Sequence, residues 1–118
     1  MDKQQSPKRY DLEERTFKFA LDVSRFCKKF PRTIGNIEYV KQLIRSSGSV
    51  GANYIEANES LGRKDFFMRV KICRKESKES GYWLRLLIET NDDKFRVEGE
   101  GLLNESIQLK KIFSSMVV

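Results

Sequence analysis

Residues 43–61 read LIRSSGSVGANYIEANESL, and small side chains interrupt the middle of this otherwise helix-forming stretch. Within residues 46–52, Val50 alone is larger than serine. Gly48 and Gly51 each cost a helix interior about 1 kcal/mol relative to alanine. We expect the close approach of a neighbouring helix to offset that cost, which places the stretch inside one long helix. A break at Gly48, giving two shorter helices, is the alternative.

Apolar residues recur at three- and four-residue spacing on both sides of this stretch, which predicts four helices. The predicted helices cover residues 11–29, 36–61, 64–90 and 102–117. Pro31 ends the first, Asn36 is the expected N-cap of the second, and Gly62 is the glycine expected to close it. Residues 91–101 form a polar connection. No segment alternates with the period of a strand, so the sequence favours an all-α, antiparallel up-and-down four-helix bundle.

The chain of 118 residues fits one domain, with residues 1–9 as a loose N-terminal tail and residues 10–118 as the bundle. Lys and Arg number 23 against 17 Asp and Glu, and the resulting charge of +6 favours an anionic partner. Cys27 and Cys73 fall at apolar helical positions, which is typical of buried free thiols in a reducing compartment. Residues 1–15 lack the apolar run of a secretory signal, and no segment resembles a membrane span. We therefore expect a cytoplasmic protein.

The chain contains no histidine, so the commonest general base and histidine-activated nucleophiles are absent. Two separated cysteines and scattered carboxylates do not form a recognisable metal site. The glycine pair Gly48 and Gly51 lacks the Lys-Ser/Thr ending of a phosphate-binding loop. We expect a protein that is not an enzyme and that uses no cofactor or metal.

Basic residues dominate the third predicted helix, where residues 63–79 hold seven basic and three acidic side chains. On a helical wheel, six basic side chains lie within roughly 100° of one another, opposite the core stripe, and Tyr82 shares their face. These six residues, the basic stripe, are Lys64, Lys71, Arg74, Lys75, Lys78 and Arg85. Such a row can follow a phosphate backbone, so it is the candidate nucleic-acid-binding surface. A solvated face that binds nothing is the alternative.

A second apolar strip runs along the same helix and contains Met68, Ile72 and Trp83, the only tryptophan. A lone bundle needs one apolar stripe per helix, so a second one predicts a subunit interface. In the alternative, Trp83 covers the edge of its own core.

The second predicted helix carries a polar ladder on one side. Its members, four, four and three residues apart, are Arg45, Ser49, Asn53 and Glu56. The ladder fits a buried hydrogen-bonding row at an oligomer interface or ligand groove. It fits equally well an ordinary surface ladder, whose pairs contribute a few tenths of a kcal/mol each.

Several short motifs together resemble a known family. They are Phe30-Pro31, Gln42-Leu43-Ile44-Arg45, Ser49-x-x-x-Asn53-x-x-Glu56 and Tyr82-Trp83-Leu84. Over residues 10–90 the chain resembles the bacterial four-helix-bundle proteins first noticed as open reading frames in intervening sequences of 23S ribosomal RNA. The family motif Asn-Ile-Ala-Glu-Gly stands here as Asn-Tyr-Ile-Glu-Ala at residues 53–57, with Ala57 in place of the glycine.

The resemblance implies a cytoplasmic bundle that assembles into a homopentameric barrel. It also implies a relation to the accessory proteins of diversity-generating retroelements, which are basic and engage nucleic acid and a reverse transcriptase. We therefore expect a non-enzymatic, homo-oligomeric protein that associates with RNA through the basic stripe. The alternative is a protein-interaction scaffold, or an accessory subunit for a partner protein such as a reverse transcriptase. In either case, a large residue at Gly48 is expected to damage folding before it damages binding.

Overall fold

The computed structural model describes residues 7–117, with side chains from residue 11 onward. Its helices are α1 (Pro7–Cys27), α2 (Ile34–Asn58), α3 (Arg63–Thr90) and α4 (Arg96–Met116), with one 3-10 turn, Asp93–Phe95, before α4. No strand occurs in this range, which confirms the predicted all-α class. Residues 1–6 of the predicted tail lie outside the described range. Residues 7–9 are already helical, because Pro7 suits the first position of α1, where a backbone N–H has no partner.

Successive helices run antiparallel, and α1 also packs against α4 to close the bundle. Residue numbers rise along one helix as they fall along its neighbour. The contacts that fix this order are Glu13–Asn58 and Thr16–Gly51 between α1 and α2, Arg45–Glu76 and Asn53–Arg69 between α2 and α3, Gly81–Ser106 and Ile88–Gly99 between α3 and α4, and Arg15–Glu105 and Lys29–Glu98 between α1 and α4. None of the described helices is long and apolar enough to cross a membrane.

One apolar stripe of each helix forms the core. Its most deeply buried members are Phe19, Val23 and Phe26 of α1, Leu43 and Val50 of α2, Val70, Cys73, Leu84 and Leu87 of α3, and Leu109 and Phe113 of α4. Between α2 and α3 the buried residues are small. The hydroxyls of Ser46 and Ser80 lie 2.9 Å apart, and Ser80 donates to the carbonyl of Glu76 within its own helix. These small, satisfied side chains allow α2 and α3 to pack closely.

α2 is continuous through its small residues, as predicted, but the glycine that makes the close contact is Gly51. A Cβ added at Gly51 would lie 3.0 Å from Oγ1 of Thr16, whereas a Cβ at Gly48 would meet nothing within 4 Å. The expectation that Gly48 is a close-packing position is therefore wrong. Gly48 is exposed on the outer side of α2, about 60° around the helix from Gly51.

The start of α2 differs from the prediction. Thr33, not Asn36, is the N-cap, and its Oγ1 accepts a hydrogen bond from the backbone N–H of Asn36. Asn36 is buried in the first turn, where its side-chain amide donates to the carbonyl of Pro31. The amides of Asn36 and Asn91 also donate to each other, at 2.9 and 2.8 Å. We call this pair the amide latch, since it ties the α1–α2 link to the end of α3.

The predicted end of α2 is also corrected, because α2 ends at Asn58 and leaves Leu61 fully exposed. Gly62 has an extended backbone, with φ −144°, and is the N-cap of α3. It is therefore not a left-handed glycine closing α2. α1 likewise ends at Cys27, two residues earlier than predicted, ahead of the turn that leads to Pro31.

The polar connection predicted at residues 91–101 is largely helical, and α4 begins at Arg96. Two contacts explain the difference. Phe95 is buried with its ring centroid 4.4 Å from that of Phe30, which anchors the start of α4. Gly99 then packs directly against Ile88 of α3. Packing of this kind overrides the low helix propensity of glycine.

Both cysteines are free and buried, as predicted. The Sγ of Cys73 donates to the carbonyl of Val50 at 3.4 Å. Burial raises the pKa of the Cys27 thiol to about 11 and that of the Cys73 thiol to about 12. Both thiols therefore stay protonated and unreactive in the folded protein.

Candidate nucleic-acid interface

The basic stripe lies on the solvent side of α3. Five of its side chains are exposed and Arg74 is half-buried. The helix runs unbroken through all six, so their spacing is fixed by one rigid element of 28 residues. The first and last, Lys64 and Arg85, are separated by about 32 Å along the axis at 1.5 Å per residue.

No residue of the basic stripe forms an ion pair with any carboxylate in the described part of the chain. Several cations elsewhere are paired within the bundle. Arg15 binds Glu105 through two hydrogen bonds of 2.7 and 2.9 Å, and Lys29 binds Glu98 at 2.7 Å. Within the described range, the basic stripe is therefore a row of six cations without an internal carboxylate partner, which an external anion can neutralise.

The polar ladder of α2 faces α3. Arg45 donates to Glu76 at 3.2 Å and to Glu79 at 2.6 Å. The Glu76 side chain is only 7% exposed, so this carboxylate depends on its guanidinium partner. The hydrogen bonds that Arg45 donates to the Glu79 and Glu76 carboxylates raise the pKa of Arg45.

The lower part of the ladder continues the same network. The Asn53 amide donates to the hydroxyl and carbonyl of Ser49, and its oxygen accepts from Arg69 of α3 at 3.0 Å. Glu56 remains exposed at the end of the row. The ladder is thus mainly a connection between α2 and α3, with Glu56 open to solvent.

The second apolar strip borders this network. Trp83 is half-buried, stacks on Tyr39 with ring centroids 6.2 Å apart, and donates its Nε1–H to Glu79 at 3.0 Å. That hydrogen bond, together with Arg45, lowers the pKa of Glu79. Ile72 is half-buried, whereas Met68 is 53% exposed. The polar ladder and the apolar strip therefore form one continuous surface along α2 and α3.

The basic stripe turns away from that surface, and its later residues border α4. There Lys78 and Arg85 face Lys110 of α4 across a groove of about 290 Å³, the α3–α4 groove. Lys110 is not among the binding residues predicted from sequence, because it stands on a different helix from the basic stripe. The signal available was the neighbouring pair Lys110 and Lys111 on the polar side of the fourth helix.

A larger groove, of about 750 Å³, lies between α1 and α4. Its cations are mostly neutralised in place, by the Arg15–Glu105 and Lys29–Glu98 pairs and by Lys18 with Asp22. This groove therefore offers an anion much less unpaired positive charge than the face of α3 does.

The sequence model of one family, described as 23S rRNA-intervening sequence protein, matches residues 8–115. Among solved structures, the chain is similar to a protein of unknown function from the S23 ribosomal protein family of Bacteroides thetaiotaomicron, at 30% sequence identity and a TM-score of 0.77. That similarity covers 89% of this chain and 96% of the other. A comparison with curated proteins gives no match. Because the family match spans nearly the whole bundle and agrees with the motifs of residues 30–84, the chain belongs to the 23S rRNA-intervening sequence protein family.

Proposed function

We propose that this chain is a non-enzymatic, homo-oligomeric protein of the cytoplasm that associates with RNA through the basic stripe of α3. The observation that carries the proposal is the set of six basic side chains on one helix face, none of them paired with a described carboxylate. The family resemblance adds a homopentamer as the proposed assembly. Repetition of the stripe by symmetry would multiply weak contacts into useful affinity.

The contacts proposed are with phosphates. A rigid row of cations about 32 Å long matches the repeating charge of a nucleic-acid backbone. Phosphate contacts position a ligand without reading its bases, so binding through the stripe should depend strongly on salt and only weakly on sequence.

The test is the triple variant Lys71→Gln, Lys75→Gln and Lys78→Gln. All three side chains are exposed, so the bundle should fold normally. Titration of a fluorescent RNA at several salt concentrations should show weaker binding, with a salt slope reduced by up to about 2, or about 0.7 for each lost contact to a single strand.

A matched variant with Lys18, Lys28 and Lys41 changed to glutamine carries the same net charge and alters exposed positions of α1, of the turn after it and of α2. It should retain most of the affinity and the original slope. Equal losses in the two variants would mean that only net charge matters. Unchanged affinity in a folded triple variant of α3 would reject the stripe as a binding surface.

A second candidate is a scaffold or accessory subunit that binds a protein such as a polymerase. The exposed Met68 favours it, since an exposed apolar side chain suits a protein partner better than a phosphate backbone. Affinity purification with and without nuclease separates the candidates. A protein partner that survives nuclease treatment and is retained by the triple variant of α3 supports the second one.

A further inference from the structure

The α3–α4 groove has a floor of small residues between two close helices. Its floor is formed by Ser77, Gly81 and Ser106. A Cβ added at Gly81 would lie 3.0 Å from Oγ of Ser106, so the absence of a side chain keeps the two helices close. Ser77 donates to the carbonyl of Cys73 and Ser106 to that of Leu103. Since these hydroxyl protons are already used, recognition must come from the rim.

The rim is cationic on both sides. Lys78 and Arg85 stand on α3 and Lys110 stands on α4. None of the three forms an ion pair with a carboxylate in the described range. An anion in the groove would therefore meet positive charge from two helices without displacing an internal partner.

The rim also carries an aromatic ring. Tyr82 lines the groove and is 55% exposed. Its ring packs edge-on against Trp83, with centroids 5.0 Å apart, and Trp83 is itself held by Tyr39 and Glu79. The orientation of Tyr82 is thus supported from behind, while more than half of its surface remains available.

An exposed aromatic ring among unpaired cations matches the two parts of an unstacked nucleotide, a flat base and its flanking phosphates. A volume of about 290 Å³ falls at the lower end of the range for small-ligand sites, which suits one nucleotide and not a helix. Bases inside a duplex are stacked on each other and cannot reach the ring.

We propose that the α3–α4 groove binds one unstacked nucleotide of single-stranded RNA, with its base on Tyr82 and its flanking phosphates at Lys78, Arg85 and Lys110. This inference rests on the proposed RNA association and adds to it. The stripe supplies affinity for any phosphate backbone, and the groove supplies a preference for single strands.

The experiment compares a fluorescent 12-nucleotide RNA without self-complementarity with the same RNA in a duplex, using the full chain. Tyr82→Leu should weaken binding of the single strand roughly 5- to 100-fold and leave duplex binding unchanged. Tyr82→Phe retains the ring and should bind as the wild type does. Because Tyr82 is exposed, both variants should keep their helical circular dichroism.

The cationic rim is tested with two neighbours of equal charge. Lys110→Gln should weaken single-strand binding and lower its salt slope by about 0.7. Lys111→Gln, which alters an exposed residue outside the groove, should have a smaller effect. Equal effects of the two changes would overturn the role of Lys110.

The two proposals can fail separately. If the wild type binds neither RNA, the proposed function fails and the groove proposal with it. If single strand and duplex bind equally well and Tyr82→Leu changes neither, the RNA association stands and the groove proposal is wrong. Competition by an oligoglutamate peptide as effective as that by unlabelled single strand would also overturn it, since the groove would then select charge alone.

Discussion

At Gly99 the backbone of α4 meets a side chain of α3 directly. A Cβ added there would lie 2.6 Å from Cγ1 of Ile88 and 3.2 Å from Cζ of Phe26. Two residues further on, a Cβ at Gly101 would meet nothing within 4 Å. One glycine of α4 is thus required by packing, and the other only weakens the helix.

Replacing these glycines with alanine should give opposite results. Gly101→Ala should stabilise the protein by up to about 1 kcal/mol, from helix propensity alone. Gly99→Ala gains the same propensity but forces Ile88 to move, and overpacking costs about 1–3 kcal/mol. We expect a net destabilisation of up to about 2 kcal/mol, measured by urea denaturation. A Gly99→Ala variant as stable as Gly101→Ala would contradict the close contact.

Residues 43–61 also contain one glycine that packs against a neighbouring helix and one that does not, and their sequence alone does not tell the two apart. Their composition predicted one continuous helix with a close approach to a neighbour, and both are present. Which glycine makes the approach depends on where α1 lies around α2, and spacing along one helix does not contain that information. Gly48→Ala should therefore stabilise the bundle, contrary to the expectation from sequence.

Among the described helices, α2 and α3 are joined by more side-chain hydrogen bonds than any other pair. Arg45 forms ion pairs with the nearly buried carboxylate of Glu76 and with the more exposed carboxylate of Glu79. Spacing located the ladder residues, but it could not choose between a surface row and an interhelical network, because the partners lie 16 to 34 residues away in the chain. The start of α4 could not be predicted for the same reason, because Phe30 and Ile88, which pack against it, lie far away in the chain.

Arg45→Ala should destabilise the protein by about 1–3 kcal/mol, because it leaves Glu76 without a charged partner. Lys41→Ala, one turn earlier and paired only at 4.0 Å with exposed Glu38, should cost less than about 0.5 kcal/mol. A double-mutant cycle with Glu76→Gln measures the coupling. Additive effects of Arg45→Ala and Glu76→Gln would show that the contact contributes nothing to stability.

For the whole molecule, the proposed assembly gives a direct prediction. Light scattering at micromolar concentration should give a mass near five times the 13.9 kDa of one chain. Met68→Lys should lower that mass while the helix content is kept. Val97→Lys makes the same change at an exposed apolar residue of α4 and should not affect it. A wild-type monomer would reject the proposed interface.

The buried thiols predict how stability responds to alkaline pH. Their ordinary pKa is 9.0 and their folded values are about 11 and 12, so the unfolded chain ionises first. Stability should be unaffected by the thiols below pH 9 and should fall above it, by about 1 kcal/mol for each thiol at pH 10. Urea denaturation at pH 8 and pH 10 measures this fall. Cys73→Ala should show a smaller fall than wild type, and an equal one would contradict the burial of its thiol.

The amide latch makes the two ends of the bundle unequal. At one end, Asn36 and Asn91 hold the link between α1 and α2 to the end of α3, so neither helical hairpin can swing away alone. At the other end, residues 59–62 cross from α2 to α3 with Leu61 in solvent, and among the described residues a single hydrogen bond, from Asn58 to Glu13, ties the end of α2 to α1. We expect local opening of the bundle to start at this end, while the amide latch holds the opposite end closed. Backbone hydrogen exchange should therefore be fastest in the helical turns next to residues 59–62.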